Sequence, residues 1–239
     1  CMLSADDVGV TEMGANQCVL IRNEAAKHRL PPELRNGLVL TVEESKGLEF
    51  DDVCLFEFFS DSPADKEWHV LYWLLQQQAE APPPSGAASG AVSGAVAGAV
   101  SGAVAGAVAG APLGAPSHSV PPEHMVRATP FDLHQHLILC DELKRLYVAL
   151  TRARKRCFLF DSSIERRQPA FDYLSAMGVA EQGLEVQLSA TAAKAGKSSV
   201  SDWLQRADNF RLNRLWRHAE RCYLKGGDEA SALVCGAKR

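Results

Sequence analysis

The sequence predicts an α/β lobe with a mainly parallel sheet, interrupted by a low-complexity insertion and followed by a short all-helical segment. Three observations carry this reading. The apolar runs at 16–22, 37–42 and 53–59 are continuous rather than alternating, as strands covered on both faces require. Helical periods fall between them in the order β-α-β-β-α. Residues 81–118, by contrast, carry glycine at every fourth position from Gly86 to Gly114 and no charged residue, so no packed element is encoded there.

In order, NQCVLIR (16–22) reads as a buried strand, and NEAAKHRL (23–30) as a short helix stopped by Pro31-Pro32. GLVLTV (37–42) is a second strand, SKGLEF (45–50) a turn opened by Gly47, VCLFEFF (53–59) a third strand and EWHVLYWLLQQQ (67–78) an amphipathic helix. The Gly/Ala/Val stretch lacks the Leu, Ile and Phe of a membrane span, and each glycine weakens a helix by about 1 kcal/mol. Collagen needs glycine at every third residue, so the expectation is a disordered insertion. After Pro130, residues 131–154 read as one helix with Leu133, Leu137, Cys140, Leu143, Tyr147 and Leu150 on an apolar stripe. CFLFD (157–161) follows as a strand, 169–177 as a helix, LEVQL (184–188) as a last strand, and two or three short helices from Ser199. The expected domains are a split α/β lobe at 14–80 and 119–190, the insertion at 81–118 and a helical segment at 199–235.

Net charge is −4, which leaves the chain as a whole without a nucleic-acid footprint. Its distribution is uneven: residues 1–80 hold 6 Lys+Arg against 15 Asp+Glu, and residues 141–239 hold 18 against 12. The seven cysteines form no CxxC pair and no zinc-ligand spacing, so no metal is expected. Cys18, Cys54 and Cys157 lie in apolar runs, as free thiols of a reducing, intracellular compartment (cytoplasmic or nuclear) would. No stretch reads as a signal peptide or membrane anchor, and the first residue, Cys1, suggests a piece of a longer protein.

Two junctions could carry chemistry. TVEESKGLEFDDV (41–53) is strand, turn, strand, with Lys46 and Glu49 projecting from the turn. DELKRLYVALTRAR (141–154) ends a helix on Thr151 and Arg152, and an arginine there can present a fixed, always-charged fork to a phosphate. Loops that follow parallel strands converge on one sheet edge, the usual ligand crevice, and both junctions are expected there.

These two strings resemble motifs V and VI of the UvrD/Rep branch of superfamily 1 helicases, and the resemblance covers about residues 14–162. It implies a RecA-like second motor lobe of a helicase-type ATPase. Arg152 would be the arginine finger, the catalytic residue, reaching the γ-phosphate, and Glu49 the ribose contact. Lys46 and Gly47 would line the ATP site, and Thr41 and Glu43 the track of single-stranded DNA or RNA. ATP and its Mg²⁺ would be held by a first RecA-like lobe of the same protein, since no Walker A is present, and this chain alone would be inactive. Glu43 stands where the family has histidine and Lys144 where it has arginine. Only 18 residues separate Arg22 from Thr41, so the accessory domain of UvrD and Rep is missing.

A nearer resemblance is to the TPR and ankyrin repeat-containing protein 1 (lupus brain antigen) family, in LTVEESKGLEFDDVCLFEFFSDSP and CDELKRLYVALTRAR. It implies TPR-like helices after the α/β core. Trp203, Ala207, Phe210, Ala219 and Tyr223 show the large/small spacing of one such pair, which must pack on the lobe or on further repeats. The alternative function is therefore a degenerate, non-catalytic lobe that binds a protein partner through these helices. AKAGKSS (193–199) ends like a phosphate-binding loop, but Thr191 occupies the place of its first glycine.

Overall fold

The structure is a computed structural model that describes residues 13–80, 129–181 and 198–239. In chain order its elements are β1 (Gln17–Ile21), a 3₁₀ turn (Glu24–Arg29), α1 (Pro32–Arg35), β2 (Leu38–Thr41) and β3 (Phe50–Phe56). A second 3₁₀ turn (Asp65–His69) leads into α2 (Val70–Glu80); α3 (Leu137–Leu150), β4 (Ala153–Phe160) and α4 (Ile164–Ala176) follow. The last three helices are α5 (Val200–Leu212), α6 (Trp216–Lys225) and α7 (Glu229–Ala237). The described residues fall into two compact units, one drawn from Cys1–Phe56, Ala149–Phe160 and Gly183–Arg239, the other from Glu57–Val148 and Asp161–Gln182.

The first unit is built on a four-stranded sheet of order β2-β1-β3-β4 in which every pair is parallel. All five β1 residues are buried, as the continuous apolar run requires of a strand covered on both faces. Val19, Ile21, Val39, Cys54 and Phe56 pack with Met13, Ala26 and Leu30 into one core, and Phe160 stacks on Phe56 at 5.4 Å between centroids. Asn23 caps the first 3₁₀ turn by accepting from the Ala26 amide. Ser199 opens α5 with a reciprocal capping box to Asp202, so the last serine of the GKSS string serves a helix start, while Ser198 Oγ accepts from the Ala15 amide at 2.8 Å; Lys197 lies outside the described residues. Trp203, Ala207 and Phe210 on α5 and Ala219 and Tyr223 on α6 are all buried, matching the large/small spacing read from the sequence. Ala232 and Cys235 bury the inner face of α7.

The second unit gathers Phe58, Phe59, Trp68 and Phe171 edge to face, with the Trp68 indole donating to Ser62 Oγ at 3.0 Å. Tyr72 on α2 donates to Asp172 on α4 at 3.0 Å. Two buried carboxylates hold its loops. Asp161 accepts from the Phe59 and Ser60 amides at 2.8 and 2.9 Å and from Ser60 Oγ at 2.6 Å. Glu57, at φ 52, accepts from the Ser162 amide and hydroxyl at 3.1 and 3.0 Å.

Several expectations change. The third strand begins at Phe50 and stops at Phe56, because Glu57 turns the chain and sends Phe58 and Phe59 to Trp68. The helix after β4 starts at Ile164, capped by Ser163, and carries Pro169 inside it. The helix expected over 131–154 spans Leu137–Leu150, and the predicted stripe is not its buried face. Leu133, Leu137 and Tyr147 are exposed, whereas Leu139, Glu142, Leu146 and Ala149 are buried. The buried row also has 3–4 spacing, but the charge on Glu142 hid it. The 81–118 insertion and the 184–188 strand lie outside the described residues. Among the described residues no helix is long and apolar enough to cross a membrane.

Candidate functional site

The strand–turn–strand at 41–50 and the α3–β4 junction meet in the first unit. Leaving β2, Thr41 starts a single helical turn: the Thr41 amide donates to Glu44 Oε2 at 2.8 Å and the Glu44 amide to Thr41 Oγ1 at 3.2 Å. This is a capping box, written in the sequence as T-V-E-E. Ser45 closes it by donating from Oγ to the Val42 carbonyl at 2.7 Å. Gly47, at φ 79, reverses the chain in the left-handed region where a side chain would be strained. Lys46 pairs with Glu43 on the exposed side of the turn.

Two guanidinium groups then fix the entry to β3. Arg152 donates from Nη1 to the Leu48 carbonyl at 3.0 Å and from Nη2 to Thr151 Oγ1 at 3.1 Å. Arg206, on α5, donates from Nη1 to the Glu49 carbonyl at 3.0 Å, from Nε to the Ala15 carbonyl at 2.8 Å and from Nη2 to Asn16 Oδ1 at 2.8 Å. Its guanidinium lies 4.3 Å from the centroid of the Phe50 ring. Arg206 is only 6% exposed, and burial lowers its pKa. Consecutive carbonyls, at Leu48 and Glu49, are thus each held by an arginine, while the Glu49 side chain itself is exposed.

Helix α6 adds a third hold. His218 Nε2 lies 3.6 Å from Glu44 Oε1, and the buried His218 Nδ1 finds no hydrogen-bond partner among the described residues. Burial raises the pKa of Glu44, but the nearby His218 ring and the hydrogen bonds from Thr41 outweigh it and hold the carboxyl at about 2. An added Cβ at Gly47 would lie 3.5 Å from Asn213 Oδ1, just past the end of α5.

The register shows where this cluster sits. Thr41 pairs with Ile21 at the carboxyl ends of β2 and β1, whereas Asp52 pairs with Gln17 at the amino ends of β3 and β1. Leu48, Glu49 and Arg152 precede β3 and β4, so they stand at the amino-terminal edge of the sheet and not at the expected carboxyl edge. In this conformation the donors that a triphosphate would use are taken up within the chain: Arg152 on Leu48 and Thr151, Lys46 on Glu43. The remaining basic residues of the junction are matched too. Arg154 and Lys155 pair with Asp51 at 3.3 and 2.8 Å, and Arg156 meets Asp52 in a bidentate contact at 2.7 Å on both arms. Among the described residues no group of His, Cys, Asp and Glu is arranged to hold a metal ion.

The structure puts Thr41 at the carboxyl end of β2, Glu43, Lys46 and Gly47 in the turn that follows, and Glu49 and Arg152 at the amino-terminal edge, so the reading of the sequence expected one carboxyl edge that they do not share. That reading missed Glu44, Arg206 and His218. The capping-box spacing signalled Glu44; nothing local marks Arg206, which acts on residues about 190 positions away.

Fold and site together describe a mixed α/β protein with a four-stranded parallel sheet, onto whose turn a group of C-terminal helices is fastened. The chain is 33% identical over 218 residues, 90% of its length, to TPR and ankyrin repeat-containing protein 1 of Homo sapiens. It spans only 7% of that relative. No family model and no solved structure matches the chain. This corrects the description of the chain as a UvrD-like helicase, a nucleotide-binding hydrolase: the relative carries repeats in its name, and no helicase family model matches.

Proposed function

We propose that this chain is a protein-interaction module, in which a RecA-like α/β lobe serves as a rigid base for TPR-like helices. The all-parallel order β2-β1-β3-β4 supports the RecA-like reading of the base. The observation that carries the function is Arg206. A cation taken out of water without a carboxylate partner is costly, and hydrogen bonds to a charged group recover about 1.5–3 kcal/mol each. Here three of them bind α5 to Ala15, Asn16 and Glu49, so the helices are fastened over the very turn that the motor resemblance would leave open. The similarity to a protein named for TPR and ankyrin repeats supports the same reading, because stacked repeats of this kind offer extended surfaces to protein partners.

Two measurements on the 239-residue chain test it. Titration with a non-hydrolysable ATP analogue is expected to show no saturable binding, and Arg152→Ala no change. Quantitative affinity capture is expected to enrich protein partners that are lost with Arg206→Ala, which unfastens the helices. Saturable nucleotide binding abolished by Arg152→Ala, with no partner dependent on Arg206, would overturn the proposal.

A further inference from the structure

The outer face of α6 carries a row of arginines that the lobe does not use. Arg217 and Arg221 lie four residues apart on the exposed side, opposite the buried His218, Ala219, Cys222 and Tyr223. Arg214, in the turn before α6, is exposed as well. Among the described residues none of the three has a carboxylate within ion-pair distance, although Arg211 nearby is paired with Asp208 and Arg239 with Glu220. The arrangement is unfavourable for the helix itself. Arg217 and Arg221, and Arg221 and Lys225, are like charges at i,i+4. Arg217 also sits in the first turn, which holds no acidic residue and where the helix dipole disfavours a cation. Leu224, 55% exposed, continues the face three residues beyond Arg221, and Leu212, 73% exposed, stands two residues before Arg214.

We infer that this face docks an acidic amphipathic helix of a protein partner, with carboxylates four residues apart over Arg217 and Arg221 and an apolar residue against Leu224. The inference rests on the reading of the chain as an interaction module. Charge complementarity selects the sign of the partner, and the exposed leucines select a peptide over a nucleic acid. A single strand of nucleic acid would use aromatic platforms. Here Trp203, Phe210 and Tyr223 are buried, and Lys238 lies over Trp216 at 5.0 Å.

The test uses the full chain and three labelled probes: a Glu/Leu amphipathic peptide of about 20 residues, the same peptide with Gln for Glu, and a single-stranded oligonucleotide of equal charge. Fluorescence anisotropy is expected to show saturable binding of the acidic peptide that weakens with salt. The Gln peptide and the Arg217→Glu/Arg221→Glu variant are each expected to lose at least about tenfold in affinity. Both sites are exposed, so the variant should keep the wild-type circular dichroism. Equal binding by wild type and variant, or tighter binding of the oligonucleotide, overturns the inference. Should the acidic peptide fail while Arg206-dependent protein partners are still captured, the row is excluded and the interaction-module reading stands; should both fail, both fall.

Discussion

The loop that enters β3 and the loop that leaves it are held by groups of opposite charge. On entry, the carbonyls of Leu48 and Glu49 accept from Arg152 and Arg206. On exit, the amides of Phe59 and Ser60 donate to Asp161. The difference follows from which backbone group is orphaned. A chain leaving a strand for a helical turn exposes N–H groups that only an acceptor can satisfy, whereas a chain finishing a turn exposes carbonyls. The exit from β2 obeys the same rule, with Glu44 accepting from the Thr41 amide.

The rule ranks the substitutions that would break it. Asp161→Ala strands three amides, those of Phe59, Ser60 and Ser163, and the Ser60 hydroxyl in a place only 1% exposed, and a loss of about 3 kcal/mol is expected from urea unfolding. Arg206→Met should cost less, roughly 2 kcal/mol, because it leaves carbonyl and amide oxygens rather than N–H groups without their partner. The carbonyls it leaves can still use their other lone pair. An Arg206→Met variant less stable than Asp161→Ala would reverse the order and mean that the cationic hold dominates.

This ordering also explains how much could be read beforehand. Continuous apolar runs located β1, β2 and β3, because burial on both faces leaves a local mark. The spacing of Trp203, Ala207 and Phe210 located the helices for the same reason. The holds were not legible. Asp161 acts on residues about 100 positions away and Arg206 on residues about 190 away, and in sequence each looks like any other surface charge. Glu142 misled in the opposite direction: a buried carboxylate made the true inner face of α3 look polar.

The third hold can be separated from the others by pH. Glu44 titrates, with its carboxyl at about 2 against an ordinary value of 4.5. A lowered folded-state value contributes stability that is present above pH 4.5 and lost as pH falls toward 2. Because Glu44 is only half-buried, solvent screening leaves about 1–2 kcal/mol of that slope. Thermal unfolding followed from pH 6 to about 2 should show it in the wild type and show a shallower fall in Glu44→Gln. Identical slopes would mean that His218 and Thr41 do not hold Glu44 in solution.

The smallest effect should come from the contact that looks strongest. Arg156 and Asp52 make a bidentate pair at 2.7 Å between neighbouring strands, with Gln17 Nε2 donating to the same carboxylate at 3.1 Å. Burial opposes the charge on Asp52, and the Arg156 contact outweighs it and keeps the carboxyl below its usual range. Yet the Arg156 side chain is 44% exposed on the edge strand, where water already solvates the guanidinium well and only the Asp52 carboxylate is buried. Arg156→Ala is therefore expected to cost less than about 1 kcal/mol, and a double-mutant cycle with Asp52→Asn to give a coupling that shrinks as salt rises. A coupling above about 2 kcal/mol, insensitive to salt, would place this pair beside Arg206 as a buried hold and erase the distinction between the loops and the sheet edge.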